Sequence, residues 1–436
     1  MNLKNKIKKL PKDILSIIEK SGALADEMSV SVYVVGGFVR DVLLGRPNLD
    51  VDIVVEGDGI LFAENLKNIL GGNLVKHIRF RTAVLSLENN LKVDIASSRS
   101  ENYVSFGALP VVDKGTIRDD LFRRDFSINA MAAFINRHNF GYFLDYFKGR
   151  QDLKNKNIRV LHDLSFLEDA TRMLRALRFE QRYGFRMEKH TRQLFAEAAR
   201  RKMLDKISKH RVRDELILGL KEESPVKLLG RIDKLYGFSF ICRGIKLTSS
   251  KKKFLKTIEN TASSFCRDYP KKRALDAWLI IFIALLEGLD FKKIRKICHD
   301  FAFSKGDSRR ILSFHEINKR IIKFLSRKRL KSSLVYQKFE PLSFEVIALI
   351  AAKVRSKIAR KRINEYLLLH NGIALAINGS HLKELGFVPG PHFKKMLTKV
   401  LHAKIDKVVK DQEGEINFIK KHGFASQEPK LRGKFR

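Results

Sequence analysis

Three cysteines in 436 residues, Cys242, Cys266 and Cys298, are too few, too scattered and odd in number for a disulfide framework. They make no zinc-ligand spacing either, and a reducing cytoplasm is the expected setting. Long apolar runs are also lacking. The longest, Ala277–Leu286, is too short to span a bilayer and reads as a buried core helix. The N-terminus has basic residues with no apolar signal core after them. No Gly-Lys-Ser/Thr P-loop is present, which excludes an ATPase motor. Acidic residues are scarce: 48 stand against 86 Lys and Arg, for a net charge of +38. Such an excess repels itself and attracts a polyanion, nucleic acid first and acidic membrane second.

The composition is otherwise that of a globular protein, 44% hydrophobic, and the length predicts two to four domains. Residues 1–28 read as an amphipathic helix. Short β-branched runs follow at Val30–Val35, Val51–Val55, Thr82–Leu87 and Lys92–Ala96, with a helical stretch at Ile60–Leu70. They predict a small α/β domain ending near Gly149-Arg150. From Asp163 onward strand signals nearly vanish. Apolar residues recur at helical spacing, as in Ile207–Leu220, Leu275–Leu286 and Ile347–Leu368. The expected fold class is therefore α+β, an α/β head followed by an all-helical extension. Polar and Pro-containing stretches divide it into residues 1–150, 151–225, 226–325 and 326–436, and Lys430–Arg436 reads as a basic flexible tail.

Chemistry concentrates in the head. The strand Val32–Val35 runs into Gly36-Gly37 and then a helical pattern through Leu44. Glycine lets backbone approach a ligand, and a helix N-terminus offers free N–H groups to an anion. Arg40, one turn in, points toward the same phosphate. Asp50 and Asp52 lie two apart on a strand and so share a face. Two carboxylates there repel each other unless a cation intervenes, and they suit two magnesium ions roughly 3.5–4 Å apart. Alone, Gly-Gly is only a tight turn and Asp-x-Asp a solvated strand edge; their proximity favours the catalytic and metal-binding reading. Asp94 is either a third carboxylate of the site or the orienter of a neighbouring arginine. Glu56 and Asp58 read as surface turn chemistry. Glu101–Asp120 has few regular signals and reads as a long loop, a class usually functional.

Two further segments are strongly patterned: Arg123-Arg124-Asp125-Phe-Ser-Ile-Asn129, and Glu168-Asp169-Ala-Thr-Arg172-Met-Leu-Arg175-Ala-Leu-Arg178. A three-residue step keeps Asp169, Arg172 and Arg175 on roughly one helix face, with Arg178 drifting around it. These charges suit a cleft holding a triphosphate and a base, with Arg175 and Arg178 on the phosphates. An aspartate accepts hydrogen bonds and an arginine donates them. Side by side, Asp169 and Arg172 imitate a Watson–Crick edge. It matches the amino donor and ring-nitrogen acceptor shared by cytosine and adenine, and mismatches guanine and uracil.

The glycine turn, the paired aspartates and these two segments together resemble the class II tRNA nucleotidyltransferases, a family that includes bacterial poly(A) polymerases. The resemblance implies a polymerase-β-like nucleotidyltransferase head (1–150), a nucleotide-selecting neck (151–225), a helical body (226–325) and an RNA-binding tail (326–436). It implies that Arg124 contacts the nucleotide, that Asp125 and Asn129 lie near the ribose, and that Asp169 and Arg172 do the selecting while Glu168 orients. The loop after Glu101 corresponds to one that is mobile in the family and helps switch to adding A; its length argues against a CC-only enzyme. Ile207–Leu216 and Ile377–Pro391 resemble the family's neck helix and a tail segment of its CCA- and A-adding branch. Clear motif matches cover roughly the first half of the chain plus that tail segment.

The implied activity is template-independent addition of C and A to the tRNA 3′ end from CTP and ATP with Mg2+. No membrane and no obligate protein partner are expected. Addition of A alone and poly(A) synthesis remain open. The wording Leu49–Gly59 resembles the A-adding branch, and the tail segment argues against poly(A) synthesis. A non-catalytic RNA-binding protein would have no need of Asp50, Asp52 and Arg172. A small-molecule nucleotidyltransferase would not need this charge. His299-Asp300, an HD dipeptide, lacks the further ligands of a phosphohydrolase and reads as helix surface.

Overall fold

A computed structural model of the chain describes residues 2–46, 50–102, 107 and 111–422. The predicted Lys430–Arg436 tail, Leu49 and most of the segment between Asn102 and Val111 lie outside the described residues. The four β-branched runs form strands β1 Ser31–Val35, β2 Asp50–Glu56, β4 Thr82–Ser86 and β5 Lys92–Ser97, and a strand outside those runs, β3 Asn73–His77, precedes β4. The shorter β6 Arg99–Asn102, β7 Val111–Lys114, β8 Ala132–Phe134 and β9 Phe143–Leu144 follow. Seven of these nine make one mixed sheet in the order β3-β4-β5-β2-β1-β8-β9, while β6 and β7 form a separate ribbon. Within the large sheet only β2 and β5 run parallel; the other pairings are antiparallel.

Alternation assigns the faces of β2. Val51, Ile53 and Val55 are fully buried on one side, as are Val93 and Ile95 of β5. The helices Lys12–Glu27 and Gly59–Leu70 contact the sheet and each other, and Gly59–Leu70 buries Phe62, Ala63 and Leu66. Asp50, Asp52 and Val54 therefore share the other face, where Val54 joins Tyr33 and Val35 in a cluster with Ile117, Leu121, Ala130 and Ala132. The start of β2 reaches past this cluster, which leaves its carboxylates accessible.

Several sequence expectations change. The N-terminal helix is two, Lys4–Ile7 and Lys12–Glu27, divided at Pro11, which cannot donate a backbone hydrogen bond. Glu101–Asp120 is not simply a loop: it enters the β6–β7 ribbon and then the helix Ile117–Phe122, whose Thr116 and Asp119 form a capping box. Glu56 is more than a turn residue, accepting hydrogen bonds from the Tyr33 hydroxyl (2.7 Å) and the Ile117 N–H (2.7 Å). Asp58 caps the helix Gly59–Leu70.

The chain divides into two compact units, Met1–Lys246 and Leu247–Arg436. Residues 226–246, grouped by composition with the body, belong to the first. That unit continues beyond the sheet through the helices Thr171–Tyr183, Lys189–Arg200, Lys209–Leu220 and Pro225–Leu235. The second unit is helical. Its helix Ala277–Leu285 buries every residue from Trp278 to Leu285, as a core helix should. Among the described residues no helix is long and apolar enough to cross a membrane. The predicted helix Ile347–Leu368 is interrupted: Phe344–Lys353 and Lys357–Glu365 are followed by a π-helical turn, Tyr366–His370. In the tail segment, Gly386 (φ 87°) leads between the helices Gly379–Glu384 and Pro391–Ile405, which enclose Leu382, Met396 and Val400. His299 is exposed on its helix, and among the described residues its ion-pair partner is Asp300 at 3.3 Å.

Candidate active site

Nine of the residues singled out from sequence line one cleft of about 480 Å³ in the first unit: Gly37, Arg40, Asp52, Arg124, Asp125, Asn129, Asp169, Arg172 and Arg175. Gly36 begins the helix Gly36–Leu44 immediately after β1, with a left-handed φ of 65°. A Cβ there would collide with the Arg124 guanidinium, and one at Gly37 would lie 3.8 Å from the Asp52 carboxylate. Gly36 is thus the residue whose missing Cβ lets the helix N-terminus and the Arg124 guanidinium converge, while a side chain at Gly37 would make only ordinary contact.

Asp52 on β2 faces Asp94 on β5 in parallel register, and Asp50 is two residues away on the same face. Burial first, then Asp94 and Asp50, push the Asp52 carboxyl up to about 6 against the pull of Arg124 and Arg40. Burial and Asp50 raise Asp94 as well. A cation relieves such an excess of negative charge, and an oxygen-only donor set suits a hard divalent ion. Among the described residues no three His, Cys, Asp or Glu side chains converge as a ready-made metal cage. One or two carboxylates completed by substrate phosphates is the usual protein share of a magnesium site, so Asp50 and Asp52 fit it.

The arginines are held from behind. Asp120 is fully buried and accepts hydrogen bonds from both Arg123 (2.6 Å) and Arg124 (2.9 Å). Arg123 also reaches Glu101 (2.9 Å), which takes Arg99 at 3.1 Å. A second chain runs from Arg175 to Asp125 (2.7 Å), from the Asn129 amide to Asp125 (2.9 Å), and from Arg40 to the Asn129 oxygen (2.5 Å). Burial alone would raise the Asp125 carboxyl, but Arg175 and Asn129 hold it below the ordinary carboxylate range. Arg40 is further fixed by Asp41 at 2.9 Å and stacks over Tyr183.

Asp169 and Arg172 both face the cleft, and among the described residues no ion pair joins them. Asp169 instead accepts from the Thr171 N–H (2.9 Å), the Thr171 hydroxyl (2.6 Å) and Arg211 (2.8 Å). Arg172, only 4% exposed, donates to the Ser165 hydroxyl (2.7 Å) and the Arg123 carbonyl (2.8 Å). Each is anchored separately, which leaves the pair available as a composite edge. Glu168 lies 3.5 Å from His162, whose imidazole burial and Arg172 lower to about 4.

Arg178 is the exception among the helix charges. It does not line the cleft; it packs over Phe179 and is held by Glu215 (3.3 Å) and Glu222 (3.6 Å). The helix turn between residues 175 and 178 carries it behind the wall. Sequence reading passed over Glu101, Thr171, Phe179 and Glu215, which complete the lining with Arg123. Glu215 had a signal: it stands four residues after Arg211, on one helix face. Glu101 had none, because the ribbon brings it in.

Residues 32–159 match the poly A polymerase head domain, and residues 272–418 match a putative second domain of tRNA nucleotidyltransferase. The chain is 37% identical to an A-adding tRNA nucleotidyltransferase of Geobacter sulfurreducens over 91% of its length, spanning 46% of that protein. It is 34% identical to one of Halalkalibacterium halodurans, over 89% of this chain and 88% of that one. Identity to a CCA-adding enzyme of Leuconostoc citreum is 29%, over 93% and 96%. Among solved structures, the Thermotoga maritima CCA-adding enzyme complexed with tRNA aligns with TM-score 0.72 at 32% identity, covering 97% of this chain and 98% of that one. A CCA-adding enzyme with CTP aligns at 0.74 and 32%, covering 98% and 99%. One with ATP aligns at 0.73 and 33%, covering 96% of each. Sequence, fold and the composition of the cleft agree, and the chain belongs to the tRNA nucleotidyltransferase family.

Proposed function

We propose that this protein transfers nucleotides from CTP and ATP to the 3′ end of tRNA without a nucleic-acid template. The observation that carries the reading is the convergence of Asp169 and Arg172 with Asp52 and Gly37 of the glycine turn on one cleft. The triphosphate lies against the helix N-terminus at Gly36-Gly37, with Arg124 and Arg175 on its oxygens. Asp125 and Asn129 stand on the ribose side. Asp169 and Arg172 read the base: the carboxylate accepts from the exocyclic amine and the guanidinium donates to the ring nitrogen.

Asp50 and Asp52 would hold the two magnesium ions, with Asp94 as the neighbouring carboxylate; the bound metal would supply activation of the terminal ribose hydroxyl and neutralisation of the departing pyrophosphate. The protein's own share is positioning and charge complementarity, with no covalent intermediate. The second unit, with 42 basic and 17 acidic residues, is the RNA-binding half.

The extent of addition has two readings. Completion of the whole CCA end is the first. Addition of A alone is favoured by the identities: 37% and 34% to relatives named A-adding, against 29% to one named CCA-adding. The test is extension of end-labelled tRNAs ending at the discriminator base, at C and at CC, with CTP, ATP or both, and an Asp52→Ala control. Growth of the shortest to a discrete CCA end supports the first reading. Reaction of the CC-ended tRNA alone, with ATP, supports the second. A long ladder of A on any RNA overturns both in favour of poly(A) synthesis.

A further inference from the structure

Arg211 lies outside the cleft lining, yet its guanidinium ends on the residue proposed to read the base. One nitrogen meets the Asp169 Oδ1 at 2.8 Å and another donates to the Gly107 carbonyl at 3.2 Å. The same Oδ1 also accepts the Thr171 N–H (2.9 Å) and the Thr171 hydroxyl (2.6 Å). Three donors on one oxygen saturate it. Asp169 Oδ2 has no protein partner among the described residues. A carboxylate held this way cannot rotate about its terminal bond without breaking charge-assisted hydrogen bonds. Its second oxygen therefore keeps one direction as an acceptor. Arg211 is itself kept in place by the Gly107 carbonyl and by its position on the helix Lys209–Leu220, where Glu215 four residues on pairs with Arg175 (3.1 Å). Without Arg211 the Oδ1 keeps only the two Thr171 donors, and the carboxylate loses the charged partner that draws it away from Arg172; pairing with Arg172 would cancel the donor–acceptor edge.

We propose that Arg211 is a positioning residue for base selection: it locks the Asp169 carboxylate so that one fixed oxygen meets an amino donor on the incoming base. This rests on Asp169 reading the base.

The test measures equilibrium binding of ATP, CTP, GTP and UTP to the full-length protein, together with kcat and KM for each on a CC-ended tRNA. Wild type, Arg211→Met, Arg211→Lys and Thr171→Val are compared. The preference for ATP over GTP is expected to fall about tenfold or more in Arg211→Met, the scale on which misplacement of a recognition group acts. Thr171→Val should fall in the same direction by less, and Arg211→Lys should lie between Arg211→Met and wild type. An equal loss for all four nucleotides, with the ratio unmoved, overturns the proposal and leaves Arg211 a structural residue. If Arg211→Met does not fold, the ratio in Thr171→Val decides. A wild-type protein with no preference among the four removes the reading of Asp169 itself, and is distinguished by needing no variant.

Discussion

Asp52 and Asp94 stand opposite each other in parallel register on β2 and β5, two carboxylates on one sheet face beside the glycine turn. Burial and the neighbouring carboxylates lift Asp52 to about 6, so above that pH the metal-free folded protein holds a charge it disfavours. Stability present at pH 4 is lost as pH rises through 6. Asp52→Asn should therefore abolish nucleotide transfer and yet raise the melting temperature in EDTA at pH 8, by about 2–4 °C for a unit of this size. At pH 4 the gain should vanish. Thermal melts at the two pH values check this.

Asp120 never meets the cleft, yet both Arg123 and Arg124 depend on it. Asp120→Ala leaves two arginines without their buried partner, a change expected to cost about 3–5 kcal/mol. The KM for ATP should rise with it, because Arg124 is no longer aimed at the glycine turn. Urea denaturation and steady-state kinetics, run together, separate the two effects.

His315, in the second unit, is half-buried with its Nε2 shielded from solvent and lacking a hydrogen-bond partner, and burial lowers its imidazole to about 4. The unfolded chain binds a proton near pH 6.5 and the folded one does not until about 4. Stability is full above 6.5, declines as pH falls to 4, and levels off below. His315→Leu should flatten that decline, as read from urea midpoints at pH 7.5 and pH 4.5.

The second unit's surplus of basic residues predicts strong salt dependence of tRNA binding. Affinity should fall by about a thousandfold or more between 50 and 200 mM KCl if six or more phosphates are contacted. Filter binding at a series of salt concentrations measures the slope. A flat response would mean that these charges face solvent rather than RNA.

The cleft's ingredients were legible because they are local. The Gly-Gly turn, the alternation that puts Asp50 and Asp52 on one face, and the three-residue steps of Asp169, Arg172 and Arg175 all follow from strand and helix periodicity. The apolar runs located the five longer strands of the sheet, except β3, whose side chains are mostly exposed and leave no alternating pattern. Periodicity could not tell that Arg178 turns behind Phe179, or that Val354 interrupts the helix predicted over Ile347–Leu368.

By itself, the sequence determined the α+β class, the excess of positive charge and nine of the residues that line the cleft, since the local patterns depend on neighbours within about two turns or one strand. Tertiary structure alone decided which distant groups hold those residues: Glu101 on Arg123, Arg211 on Asp169 and Glu215 on Arg175. Those contacts join positions between 22 and 42 residues apart through the β6–β7 ribbon and the helices of the first unit. No local propensity encodes them, because a hydrogen bond between distant side chains exists only once packing has fixed both ends.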